Sequence, residues 1–153
     1  MTNILIDSDK KLHNLLSKIE DCKEIGLDTE FIRESTYRPI LALIQISLAN
    51  GEIYLIDPQK IKDISGISNI TSDPKIIKII HSAKQDLEAL FSHLGSFPKN
   101  VFDTQIAYNF LSEKSNIGYS ALVKNICDVD IKEGSWRTDW SVSYTHLTLP
   151  TNA

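Results

Sequence analysis

Several things are scarce in this sequence, and each scarcity excludes something. Cysteine occurs only at Cys22 and Cys127, far apart and outside any C-x-x-C spacing. A disulfide scaffold and a cysteine-rich zinc site are therefore not expected, and reduced thiols in the cytoplasm are the simpler account. No apolar run approaches the roughly 18 residues of a membrane span, so no membrane association is expected. The opening Met1-Thr2-Asn3-Ile4-Leu5 has neither a basic nor a long apolar region, so it does not read as a secretory signal. Positive charge is not in excess: 16 Lys plus Arg face 20 Asp plus Glu, a net −4. That balance excludes binding of nucleic acid by bulk charge alone and leaves a local basic groove, or a metal that recruits phosphates.

What is present is ordinary for a folded domain. Hydrophobic residues make up 42% and charged residues 24% of 153 positions, which excludes intrinsic disorder and suits one domain. A chain of this length buries roughly 70% of its unfolded surface. One stretch breaks the pattern: Val142 to Ala153 holds no Asp, Glu, Lys or Arg. Val142 to Thr151 resembles a translated transposase sequencing adapter, ten codons in one frame with consistent flanks. The expectation is a domain over 1–140 and a non-native tail over 141–153.

Periodicity gives the layout. Ser8 is placed to cap a helix with apolar Leu12, Leu15, Leu16, Ile19 and Cys22 on one stripe. Ile25 to Phe31 reads as a strand running into acids, and Ile40 to Leu48 as a central strand buried on both faces. Asn50-Gly51 signals a type I′ hairpin into a returning strand over 52–56. A polar, Ser- and Asp-rich stretch then ends at Asp73-Pro74. An Ile-rich strand follows over 75–81, and a helix over 83–94 closed by Gly95. Asn100 to Asp103 is a short strand. Two helices come next, one with Ile106, Ala107, Phe110 and Leu111 on a side, the other with Tyr119, Leu122, Val123 and Ile126 at i, i+3, i+4, i+7. The expected fold is α/β: a mixed five-stranded sheet, an antiparallel three-stranded meander plus two parallel strands, with helices on both faces.

The chemistry centres on acids. Asp28 and Glu30 lie two apart on a strand, so both carboxylates share a face. Such a pair repels itself unless a cation sits between, and oxygen-only sites suit Mg²⁺ or Mn²⁺. On the D-x-E pattern alone, a pair of solvated strand-end carboxylates is the favoured reading. Asp86 adds a third acid. It precedes the apolar stripe that starts at Leu87, so it sits at the edge of the buried helix face, toward the sheet. Its alternative role is to favour the helix N-terminus. Asp103, at a strand end before Thr104, reads as a helix N-cap. Arg33, Arg38, Lys84 and Arg137 are candidate phosphate contacts or surface charges, and Trp136 and Trp140 packing anchors.

These segments together resemble the ribonuclease D family. Asp28 to Tyr37, followed by Leu43-Ile44-Gln45-Ile46, is similar to its first exonuclease motif, and His81 to Leu87 to its second. Phe102 to Ala107, Gly118-Tyr119 with Leu122-Val123, and Arg137 to Trp140 are similar to the segments that follow, in order. The resemblance implies a ribonuclease-H-like domain of the DEDD superfamily, with 3′→5′ exonuclease chemistry on two divalent ions, Mg²⁺ or Mn²⁺. It implies Asp28, Glu30 and Asp86 as catalytic and metal-binding residues, and Thr29, Phe31, Gln45 and His81 as substrate-contacting ones. Phe31 is placed either to stack on a terminal base or to pack in the core. His81 fits a rim histidine better than a general base.

The implied substrate is RNA with single-stranded 3′ ends, tRNA precursors foremost. DNA, or a non-catalytic nucleic-acid-binding module, are the alternative readings. The family's fourth acid belongs to a Tyr-x-x-x-Asp motif after the Asp-Trp segment. Here Tyr144 is followed four positions on by Thr148, so the expected chain is cut short before that motif and poorly active as written.

Overall fold

A computed structural model describes residues 2–32, 39–112 and 116–131. The chain runs β1 (Thr2–Ile6), α1 (Asp9–Ile19), β2 (Glu24–Ile32), β3 (Ile40–Ser47), β4 (Glu52–Ile56) and α2 (Ser65–Ser72). It continues through β5 (Ile77–Ile80), α3 (Lys84–Leu94), β6 (Val101–Asp103), α4 (Thr104–Asn109) and α5 (Tyr119–Cys127). One sheet has the order β1-β4-β3-β2-β5-β6. The β2–β3 and β3–β4 pairs are antiparallel, and the β1–β4, β2–β5 and β5–β6 pairs are parallel.

The mixed α/β sheet is the expected one, with a sixth strand. β1 lies parallel to β4 in full register, from Thr2 opposite Glu52 to Ile6 opposite Ile56. As an edge strand it buries one side chain deeply, Ile6, while Leu5 stays 39% exposed, so its few residues show no strong alternation. The Ser- and Asp-rich stretch also differs from expectation, because it contains α2, whose Ile67, Ile70 and Thr71 are buried. The hairpin forms with another turn. Only Gly51 has positive φ (85°), and Gly51 N–H donates to Leu48 O while Leu48 N–H donates to Glu52 O. That is a three-residue connection with a glycine bulge; a type I′ turn needs Asn50 at positive φ too. Ser8 stands at the N-cap of α1 without a side-chain bond.

The two sheet faces have separate duties. Ile25, Leu27 and Thr29 on β2 share a face with Ile44 and Ile46 on β3 and Tyr54 and Ile56 on β4, and all are buried. Leu12, Leu15 and Ile19 of α1, Ile67 of α2 and Ala89 and Leu90 of α3 join them in one core. The opposite face presents Gly26, Asp28 and Glu30 beside Ser47, Gln45 and Leu43. Between Glu30 and Phe31 the register slips, so Leu43 opposes Glu30 and Leu41 opposes Phe31. The extra residue of β3, Ala42, makes a bulge beside the acids, which is where bulges re-aim side chains.

The helical stripes of α4 and α5 form where expected but bury nothing among the described residues. Phe110 is 85% and Leu111 81% exposed, because α4 touches only β6 and α5 closely. The segments at 33–38 and 132–153, with Arg33, Tyr37, Arg38, Trp136, Arg137, Trp140 and the boundary at 140/141, lie outside the described residues.

Asp103 caps as its sequence context indicates. Its carboxylate accepts from Gln105 N (2.8 Å) and Ile106 N (3.3 Å) at the start of α4. It also accepts from Ser82 N (3.1 Å) and Ala83 N (2.9 Å), where the chain turns from β5 into α3 with Ser82 at φ 59°. One side chain thus satisfies donors at the entries of two helices. Asp103→Ala is expected to cost about 1–2 kcal/mol, read as a lower urea midpoint at unchanged slope. A midpoint equal to the parent's contradicts this.

Candidate active site

The site grows from the splitting of the sheet. The last β2–β5 pair is Gly26 with Ile79, and β5 ends at Ile80, whereas β2 continues to Ile32. Beyond Gly26 the β2 edge is therefore free of β5, and its residues 28–30 face an opening. Strand alternation sends Asp28 and Glu30 to one face and Thr29 to the helix side. Gln45, directly opposite Asp28 on β3, donates from Nε2 to Asp28 Oδ2 at 3.3 Å.

Asp86 reaches the same opening from the first turn of α3. Its carboxylate is buried, and Oδ1 accepts from both Thr29 N (3.0 Å) and Thr29 Oγ1 (2.6 Å). The 2.6 Å separation is that of a hydroxyl donating to a charged oxygen. So the residue between the two strand acids ties down the third.

The acids are electrostatically costly. Asp28 is pushed up to about 6, first by desolvation and then by the charge of Asp86. Its side chain is reachable by solvent, so the desolvation comes from the concave surroundings rather than full burial. Glu30 is pushed up to about 7 by desolvation, then by Asp28 and Asp86. Burial likewise raises Asp86, against the Thr29 bonds that favour its charged form. Among the described residues no lysine or arginine is paired with any of the three.

Beside Asp28 lies a cleft of about 560 Å³, lined by Gly26, Asp28, Gln45, Ser47, Ile79, His81, Thr104 and Tyr119. Gly26 packs closely on Ser47, whose hydroxyl an added Cβ would meet. His81 Nδ1 is 2.9 Å from Thr104 Oγ1, which reaches Ile80 O at 3.4 Å. If the hydroxyl donates to Ile80 O, Nδ1 carries the imidazole proton and Nε2 is the acceptor. That Nε2 is buried without a protein partner. The Tyr119 ring meets His81 edge-on at 5.5 Å, which brings the start of α5 over the acid-bearing face. Thr104's hydroxyl was not legible beforehand; its place directly after a capping aspartate was the available signal. Phe31 is partly buried and packs against the core.

The sequence matches the 3′-5′ exonuclease family over residues 3–152.

The chain belongs to the 3′-5′ exonuclease family.

The expected likeness to ribonuclease D is borne out. The chain is 40% identical over 140 residues to ribonuclease D of Desulfotalea psychrophila, an alignment covering 85% of this chain and 37% of that one. It superposes on the crystal structure of Escherichia coli RNase D, an exoribonuclease involved in structured RNA processing. The TM-score is 0.89 at 34% identity, covering 97% of this chain and 39% of that one. The Trypanosoma brucei RNase D complex with RNA U12 shares the fold, with TM-score 0.76 at 19% identity over 84% of this chain and 48% of that one. The chain spans little more than a third of the length of the curated relatives it matches.

Divalent metal ions are the general cofactor of this exonuclease family. The donor set fits them in kind: oxygen-only, carboxylic, and raised in pKa by desolvation and by the charge of its neighbours. The fit is not complete in position. Among the described residues no three acid, imidazole or thiol side chains converge closely enough to enclose an ion, and Asp86 Oδ1 is turned to Thr29.

The charge balance has a measurable sign. Glu30 binds its proton more tightly in the folded chain than in the unfolded one. Its ionisation therefore costs the fold nothing below pH 4.5, costs progressively more from 4.5 to 7, and costs most above 7. In EDTA, Glu30→Gln should melt above the parent at pH 8 and together with it near pH 4. A gap of equal size at both pH values removes the repulsion from the account.

Proposed function

We propose that this chain is the catalytic portion of a ribonuclease D-like 3′→5′ exoribonuclease, acting on single-stranded RNA 3′ ends such as those of tRNA precursors. The observation that carries the reading is the electrostatic coupling of Asp28, which lines the cleft, with Glu30 and Asp86, none of them paired with a cation among the described residues. Asp28, Glu30 and Asp86 would hold two Mg²⁺ or Mn²⁺ ions. When bound, those ions supply Lewis acidity toward the terminal phosphodiester and lower the pKa of the attacking water.

The residues divide the remaining work. Asp28, central on β2 and held by Gln45, presents its carboxylate to the opening. Glu30, two positions on, faces the same opening nearer the strand end, where the terminal nucleotide enters. Phe31, half-buried beside it, offers an aromatic edge to the terminal base. Gln45 and His81 lie along the cleft, and with its proton on Nδ1 His81 would offer Nε2 as an acceptor to a substrate hydroxyl. Hydrolysis joins water oxygen to phosphorus and breaks the bond to the departing 3′-oxygen, releasing a nucleoside 5′-monophosphate. The free thiols Cys22 and Cys127 and an RNA substrate support a cytoplasmic location.

The fourth acid of the family motif is not in this sequence. The 153-residue chain is accordingly expected to release nucleotides from 3′-labelled single-stranded RNA at least about 10²-fold more slowly than the same chain continued through a Tyr-x-x-x-Asp segment. Equal rates refute the need for that acid, and no release by the continued chain refutes the exonuclease reading. In the continued chain, Asp28→Asn should lower the rate by about 10²-fold or more with little change in melting temperature. RNA should be degraded faster than DNA of matched sequence; the reverse preference makes DNA the substrate.

A further inference from the structure

Thr29 lies between the two strand acids, and its alternation places it on their far side. Its N–H lies beyond the last β2–β5 pair, on an edge with no strand to receive it. A buried N–H without a partner costs about 1–3 kcal/mol, so something must accept it. Asp86 Oδ1 does so, and takes the Thr29 hydroxyl as well. Both residues are buried, Thr29 at 6% and Asp86 at 7% exposure.

Two donors from one residue on one oxygen fix that oxygen in two directions. The carboxylate plane is then set by strand β2 rather than by the rotamer freedom of α3. Oδ1 is occupied by the two Thr29 donors, so a ligand approaching Asp86 meets a carboxylate whose orientation is already set.

We propose that Thr29 is a positioning residue: it fixes the carboxylate of Asp86 so that this acid would meet a divalent ion in an orientation set by the strand that carries Asp28 and Glu30. Thr29 thereby acts through Asp86 rather than on the substrate. The proposal rests on the metal-dependent reading of the site given above. Only serine reproduces both donors. Valine keeps the shape and the N–H but loses the short hydroxyl bond, and alanine does so without filling the site.

The test uses Mn²⁺ as the probe on the full 153-residue chain, read as paramagnetic broadening of backbone amide signals. In the parent, the amides of Asp28, Glu30 and Asp86 should broaden together. In Thr29→Val the Mn²⁺ concentration that halves these signals should rise about tenfold, as for loss of a residue that orients a metal ligand. Thr29→Ser should restore the parent value, and Thr29→Ala should behave as valine does if valine disturbs the fold. A purely structural tie would lower the melting temperature of the valine and alanine variants without moving the Mn²⁺ dependence, and that result overturns the proposal. Absence of broadening around Asp28 and Glu30 in the parent overturns the metal reading and this proposal together, and so is distinguishable from the first outcome.

Discussion

The Thr29–Asp86 contact is the constraint on which the site's geometry depends. β2 is the one strand that runs antiparallel to a neighbour on one side and parallel to a neighbour on the other while carrying the acids. Because β5 stops early, the end of β2 has no ladder on that edge, and α3 supplies a carboxylate in place of a strand. The angle at which α3 leaves β5 must suit this, and Asp103 fixes it by accepting from Ser82 N and Ala83 N. β6 supplies Asp103, so even the last short strand of the sheet bears on where Asp86 sits. Hydrogen bonds to a charged acceptor contribute about 1.5–3 kcal/mol each, and the two from Thr29 work against the desolvation that raises Asp86.

That arrangement divides the sheet between stability and chemistry. The face toward α1, α2 and α3 carries Ile25, Leu27, Ile44, Ile46 and Ile56, whose burial supplies the hydrophobic stabilisation. A single alternation away, Asp28 and Glu30 oppose it by repelling each other and Asp86. Thr29 is the exception that couples the two: it sits on the stabilising face yet serves the acids. Strain of this kind is concentrated where titratable groups are brought together, which is the usual signature of a working site.

Much of this was legible in the sequence, for identifiable reasons. A period of two puts Asp28 and Glu30 on one face whatever surrounds them, and the stripe from Leu87 puts Asp86 at its edge. The near-continuous apolar run at 40–48 needed a central strand, and the bulge at Ala42 falls within its four consecutive buried residues, Leu41 to Ile44. β1 escaped because it buries one side chain deeply among the described residues, Ile6, and α2 because serine, glycine and asparagine surround its Ile67, Ile70 and Thr71 stripe and read as a loop. The turn at Asn50-Gly51 escaped because one dipeptide serves two loop lengths, and only the Leu48–Glu52 pairing distinguishes them. The Thr29–Asp86 bonds join positions 57 apart, and no local rule anticipates which hydroxyl an acid will find. Periodicity also overstated α4 and α5: it says a face is apolar, not that a described element covers it.

For a chain of net charge −4, the proposed polyanionic substrate poses an attraction problem. The chain's long-range field repels phosphate, and the acids at the cleft repel it most strongly at short range. Surface lysines such as Lys11, Lys60 and Lys124 are paired with aspartates away from the cleft and do not offset this locally. On the proposed reading the same ions answer both difficulties. They neutralise carboxylates that the fold holds together at a cost, and the excess positive charge they leave at the cleft mouth is what a phosphodiester meets. Substrate affinity, acid ionisation and the stability of the β2 end are then one linked equilibrium, and a change to any of them is felt in the other two.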